Sequence, residues 1–258
     1  MKSYDYDKKK SREMAWHEKT SESKQSLVSR ILHHPVFYEP GRNSFNYIFP
    51  KQQMAGVVRR HLKDKKVEKL LIAPCGAGDD LKYLSDFAME VHGIELSPIA
   101  AEKCPTTMKV RIGDILNSDY PDETFDLIAS PLFFHHLLKF GFEPFLDEFH
   151  RILKKEGKLV ILEPSLWYPL NIITRPLKRV ARNPFGEVED EDPFHPGLML
   201  SSLRRAGFTN IEMQAATFSH CSFYVPIAKM VNRFTRPLLS VGAFKYFGWM
   251  VVYWAEKE

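Results

Sequence analysis

The sequence predicts an α/β fold in which parallel strands alternate with helices. Three observations carry that reading. Residues 67–73 form a short apolar run that Pro74-Cys75-Gly76-Ala77-Gly78 breaks. Leu81, Leu84 and Ala88 then recur at helical spacing, and residues 89–94 form a second apolar run that ends on Glu95. An apolar run without alternation reads as a strand buried on both faces, the situation of a strand in a parallel sheet. The two glycines permit a tight turn and let a ligand come close to the backbone. Asp79 and Asp80 stand where an acidic helix N-terminus is expected. Strand, glycine turn, helix, strand and terminal carboxylate together make a nucleotide-binding βαβ unit.

A nucleoside lying over the first turn places its ribose near the tip of the second strand, where Glu95 can accept hydrogen bonds from both hydroxyls. The spacing from Gly78 to Glu95 is close to the roughly 20 residues of the dinucleotide fingerprint. The fingerprint G-x-G-x-x-G itself is not met. Residues 76–81 read Gly-Ala-Gly-Asp-Asp-Leu, which puts two carboxylates and a leucine where a pyrophosphate site needs anion tolerance and a third glycine. Adjacent negative charge repels pyrophosphate and suits a ligand with a cationic amine or sulfonium. S-adenosylmethionine is such a ligand. A nicotinamide oxidoreductase would share the βαβ unit, and the same residues disfavour it.

Further landmarks follow in order. Gly113-Asp114-Ile115 comes after a short predicted strand at 108–112. Residues 125–130 (Phe-Asp-Leu-Ile-Ala-Ser) form the next, followed by Phe133-Phe134-His135-His136-Leu137, and residues 153–163 form a turn and a fifth strand. With the glycine turn, these motifs resemble the core of the class I S-adenosylmethionine-dependent methyltransferases over residues 67–165. The resemblance implies a Rossmann-like, seven-stranded, mostly parallel sheet with helices on both faces and the last strand antiparallel. It implies S-adenosylmethionine as methyl donor and S-adenosylhomocysteine as product, with transfer to an O, N or C nucleophile of a small-molecule or lipid-like acceptor. The donor residues it implies are Ala73, Pro74, Cys75, Gly76, Gly78, Asp79, Asp80, Glu95, Leu96, Gly113, Asp114, Ile115 and Ser130. Of these, Glu95 would hold the ribose and Asp114 the adenine amino group. The chain departs from the family pattern at Ile72, where an acid is usual, and at Pro74, which replaces the first glycine. Asp79 or Asp80 is the expected substitute carboxylate. A protein that binds the adenosyl ligand without catalysis is the alternative these departures raise.

The bounds are consistent with one α/β domain. A chain of 258 residues fits a single domain with some decoration. Hydrophobic content of 44% and charged content of 26% are ordinary for a globular protein. The net charge of +4 is too small to argue for nucleic acid, and no RNA-binding signature accompanies it. Cys75, Cys104 and Cys221 are far apart and odd in number, so neither a metal nor a disulfide framework is expected, and the setting is reducing and cytoplasmic. The N-terminus lacks the apolar core of a signal peptide, and the late apolar run at 247–255 is too short to span a bilayer.

Residues 1–66 are expected to form an N-terminal helical lid, frayed over the charged first 25 residues, with a helix over 51–62. Tyr38, Asn46 and Tyr47 are candidates for the substrate side, the alternative being simple packing onto the sheet. The core then runs 67–258 with insertions at about 165–200 and 219–245. Ser130 ends a strand over the switch-point crevice. His135 and His136 fall on a predicted helix, where adjacent rings diverge; one of them is a candidate base. Trp167 and Tyr168 lie in an aromatic loop placed to cover an acceptor, and His195 is a third candidate base. The alternative for Asp114 is a loop or cap role, and for His195 capping or packing. The charge runs at 175–182 and 187–192 read as solvated surface. From Pro226, Ile227, Met230, Val231 and Phe234 share one helical face, and Lys229, Arg233 and Arg236 another, until Pro237. That amphipathic helix, at 226–236, either packs on the sheet with its charges in water or touches a membrane surface.

Overall fold

The computed structural model describes residues 6, 10, 11, 45–172, 192–221 and 223–258. Tyr38, the basic run at 175–182 and most of the acidic run lie outside them. In chain order the main elements are α1 (Phe45–Leu62), β1 (Val67–Ile72), α2 (Leu81–Leu84), β2 (Ala88–Glu95), α3 (Pro98–Ala101), β3 (Lys109–Ile112) and β4 (Phe125–Pro131). After them come α4 (Glu143–Ile152), β5 (Leu153–Pro164), α5 (Pro196–Arg205), β6 (Thr209–Thr217), α6 (Val225–Thr235) and β7 (Met250–Glu256).

The strands make one seven-stranded sheet in the order β3-β2-β1-β4-β5-β7-β6. Pairings from β3 across to β5 are parallel, and β7 runs antiparallel to both β5 and β6. The order reverses between β1 and β4, so a switch point opens at their carboxyl ends. Leu70, Leu71 and Ile72 pair with Leu127, Ile128 and Ala129, and all six side chains are buried. Helices on both faces make that burial possible. On one face Leu71, Ile94, Ile128, Ile161 and Tyr253 pack with Phe145 and Phe149 of α4; on the other Leu70, Ile72, Leu127, Val160 and Trp254 pack with Met54 and Val58 of α1.

Three elements differ from the sequence expectation. α1 begins at Phe45 rather than at 51 and carries Pro50 inside it. The proline removes one backbone bond in the second turn, and the burial of Met54, Val57, Val58 and Leu62 outweighs that loss. With that burial, α1 is a layer of the core lying across β5, β7 and β6. The helix after the glycine turn is one turn long and tightens into a 3-10 turn, Ser85–Phe87, so Ala88 belongs to β2. The histidine pair lies on a 3-10 turn, Phe134–His136, and not on an α-helix. Among the described residues no helix is long and apolar enough to cross a membrane.

Candidate donor and acceptor site

The carboxyl end of β1 is fastened on both sides. The Ala73 amide donates to the Ala129 carbonyl at 2.9 Å, and the Cys75 amide donates to the Ile94 carbonyl at 3.0 Å, which folds the glycine turn over the tip of β2. Gly76 and Gly78 both have positive φ, +53° and +80°. At Gly78 a Cβ would stand 2.5 Å from Cδ of Pro105, so packing demands glycine there as well as conformation. Burial pushes the Cys75 thiol far up, beside Cys104 at 4.0 Å, which disfavours the thiolate.

Glu95 ends β2 with its carboxylate turned back to the turn. Its Oε2 accepts from the Gly76 amide and its Oε1 from the Ser97 amide, each at 2.9 Å. Two backbone donors fix the carboxylate, and each oxygen keeps a lone pair for a ligand hydroxyl. The Gly113 amide donates to the Glu95 carbonyl at 2.9 Å, which sets Asp114 beside the same crevice. A Cβ on Gly113 would meet nothing within 4 Å, so the ground next to Asp114 is open. Asp114 Oδ1 accepts from the Leu116 amide and from the Tyr6 hydroxyl, both at 3.0 Å, and Lys10 Nζ lies 3.2 Å from its Oδ2. Leu96 is half-buried and Ile115 belongs to the core. Asp79 is half-buried, and Asp80 is paired with Lys51 of α1 at 2.6 Å. Ser130, wholly buried at the end of β4, has no hydrogen-bond partner for its hydroxyl among the described residues.

A second cluster stands a few residues beyond β4. Glu163, at the end of β5, is completely buried. The Phe133 and Phe134 amides donate to its Oε1, each at 2.6 Å, and its Oε2 lies 2.7 Å from Nδ1 of His135. An ionised carboxylate only accepts, so a neutral His135 ring that donates from Nδ1 to Glu163 would leave the lone pair on Nε2. His136 stands beside His135 with ring centroids 4.1 Å apart, contrary to the divergence an α-helix would impose; the tight turn accounts for it.

The other expected residues are dispersed. His195 caps α5, its Nδ1 accepting from the Gly197 amide at 2.9 Å, and meets Trp167 edge-on at 4.6 Å. Trp167 also stacks on Phe247 at 5.8 Å. Tyr168 donates to the Phe218 carbonyl, and burial pushes its phenol up to about 12. Asn46 donates to the carbonyls of Cys221 and Phe223, and Tyr47 packs edge-on to Trp249. Asn46 and Tyr168 thus fasten the chain after β6. Sequence reasoning missed Glu163, Lys51, Tyr6 and Lys10. Glu163 was within reach, because it is a carboxylate at the tip of a parallel strand, as Glu95 is. Among the described residues no group of His, Cys, Asp and Glu could hold a metal ion.

Fold and site define an adenosyl-binding α/β protein: a glycine turn at a switch point, a pinned carboxylate at the tip of β2 and an aspartate beyond β3. Residues 71–161 match the family described as methyltransferase domain. A methyltransferase of Geobacillus kaustophilus, of uncharacterised role, is 26% identical over 170 residues, covering 64% of this chain and 74% of the relative. The chloroplastic tocopherol O-methyltransferase of Arabidopsis thaliana is 28% identical over 120 residues, 43% of this chain and 34% of the relative. Among solved structures, a Thermotoga maritima S-adenosylmethionine-dependent methyltransferase, described as a possible histamine N-methyltransferase, shares the fold with TM-score 0.59 at 21% identity, over 82% of this chain and 90% of that one. The matched domain and these likenesses support a class I S-adenosylmethionine-dependent methyltransferase, with S-adenosylmethionine as cofactor and S-adenosylhomocysteine as product.

Proposed function

We propose that the enzyme methylates a hydroxyl or amine of a small amphiphilic acceptor, with His135 as general base. The observation that carries the reading is the 2.7 Å contact between His135 Nδ1 and the buried carboxylate of Glu163. In the donor site Gly76 and Gly78 admit the ligand to the backbone, Glu95 accepts from the ribose hydroxyls and Asp114 from the adenine amino group. The fit rests on the free lone pairs of Glu95, the open ground at Gly113 and the unpartnered hydroxyl of Ser130. When bound, the donor supplies an electrophilic methyl group on a sulfonium. The chain aligns the acceptor atom with that methyl and keeps water away, which is where most of the acceleration of such a transfer arises. Glu163 orients His135, and Nε2 takes the acceptor proton. Trp167, Phe247 and the edge of His195 form an apolar wall past the end of β5, suited to the body of a ring or chain. The likeness to tocopherol O-methyltransferase supports an acceptor of this class. The three cysteines form no disulfide among the described residues, which supports a cytoplasmic setting.

The test is methyl transfer to a panel of phenols, quinols and amino amphiphiles by wild type, His135→Asn and Glu163→Gln. Loss of a general base lowers kcat by about 10²–10⁴ while donor binding, read by calorimetry with S-adenosylhomocysteine, stays intact. Turnover unchanged in His135→Asn would remove His135 from the chemistry.

A further inference from the structure

The surface around α6 is built the wrong way round for a helix that only covers a sheet. Its inward residues are Ala228 and Asn232, both buried. Asn232 accepts from the Thr217 hydroxyl and donates to Ser219 Oγ, each at 2.8 Å, so the contact with the body is a closed polar network. The large apolar side chains face out: Ile227, Met230 and Phe234 are 48%, 53% and 73% exposed, and Val241 and Phe244 beyond the helix are about half exposed. Exposed apolar side chains of this kind, three of them on one face of a folded helix, mark an interaction surface.

The charge around the patch has one sign. Residues 213–255 contain no aspartate or glutamate, and Lys229, Arg233, Arg236 and Lys245 lie on α6 and just after it. Among the described residues none of the four is paired with a carboxylate, and Lys229 and Arg233 share a shallow groove with Met230 and Phe234. Lys229 Nζ stands 5.6 Å from the ring centroid of Phe45. A second copy of the chain is a poor occupant, since a two-fold contact would bring this cationic rim against itself.

We propose that this face docks on an anionic lipid bilayer, with Ile227, Met230 and Phe234 entering the boundary between headgroups and acyl chains and the four cations resting among lipid phosphates and carboxylates. The arrangement is that of an interfacial amphipathic helix, with apolar side chains beneath and Lys and Arg at the flanks. The Asn232 network holds the helix already folded, so docking does not have to order it. Docking of this kind is independent of the acceptor's chemistry.

Sedimentation of the full chain with vesicles tests it. Vesicles of phosphatidylcholine with about one third phosphatidylserine are expected to carry the protein down, pure phosphatidylcholine vesicles much less, and added salt is expected to release it. Phe234→Ser with Met230→Ser is expected to weaken partitioning by about tenfold or more, and Lys229→Gln with Arg233→Gln by roughly fivefold per charge. All four positions are exposed, so unchanged melting and unchanged S-adenosylhomocysteine binding show that the fold is intact. Failure of wild type to bind anionic vesicles at low salt overturns the proposal. So does binding that survives both pairs of substitutions, or a dimer in gel filtration that Phe234→Ser dissociates.

Discussion

Lys51 Nζ on α1 lies 2.6 Å from Oδ1 of Asp80 beside the glycine turn, with the lysine side chain 3% and the aspartate 14% exposed. The pair joins the helix that covers the sheet to the glycine turn. Removing one member leaves a charge with little access to water, which costs about 3–5 kcal/mol. Lys51→Met is therefore expected to lower the urea midpoint strongly. A combined Lys51→Met, Asp80→Leu variant should regain much of the loss, because no stranded charge remains. If Lys51→Met melts like wild type, the pair is solvated in solution and does not tie α1 to the turn.

Gly78 answers to two constraints at once, a φ of +80° and the 2.5 Å approach of a Cβ to the Pro105 ring. A proline ring cannot swing aside as the end of a long side chain can. Gly78→Ala is expected to cost at least about 1–3 kcal/mol from conformation alone. It should also weaken S-adenosylhomocysteine binding by about tenfold, since the turn must shift to admit the methyl. Calorimetry and a thermal melt on one sample check both.

The βαβ unit could be read in the chain because its signals are local: an apolar run, a glycine break and a carboxylate at the next strand's tip all fall within thirty residues. Glu95 is held by Gly76, nineteen residues away in that same unit. Lys51 and Asp80 carry no such signal. Their pairing depends on α1 crossing the sheet, which comes from burial of Met54, Val57 and Val58. Tyr6 and Lys10 were hidden for the same reason, since the charged composition of the first 25 residues gives no hint of the contact with Asp114. The acceptor side was hardest to read. Asn46, Tyr168 and His195 were polar groups in suitable places, and the fold uses their hydrogen bonds to fasten loops and cap a helix. Composition cannot tell a polar group that serves backbone carbonyls from one that serves a ligand.

On the proposed reading, Glu95 sets the donor affinity. Glu95 is 6% exposed and its carboxylate already holds two amides, so ligand hydroxyls would meet a fixed acceptor. Hydrogen bonds to a charged group contribute about 1.5–3 kcal/mol each. Glu95→Gln is expected to weaken S-adenosylhomocysteine binding by roughly 10- to 150-fold, with little change in affinity for acceptors. Donor affinity equal to wild type would move the ribose to another part of the crevice.

Stability should fall on the acid side of neutrality, and His92 is one cause. On β2 its ring stands edge-on to Phe125 at 5.3 Å and to Tyr120 at 6.3 Å, and burial lowers its proton affinity more than the neighbouring Glu90 raises it. The unfolded chain takes up a proton near the usual histidine value of about 6.5, while the folded chain resists it. Over that window the unfolded state binds more protons, so unfolding free energy rises with pH. Glu90 acts with the same sign at lower pH. Lys109 and His92 hold its carboxyl below the usual range, a contribution present above the unfolded value and lost as pH falls through the folded one. His150 is lowered in the same direction by burial, so part of the slope survives any single change. His92→Gln is expected to flatten the dependence of the denaturation midpoint between about pH 5 and 7 without removing it. A slope identical to wild type would mean that the ring takes its proton inside the fold, with Glu90 rather than burial in control.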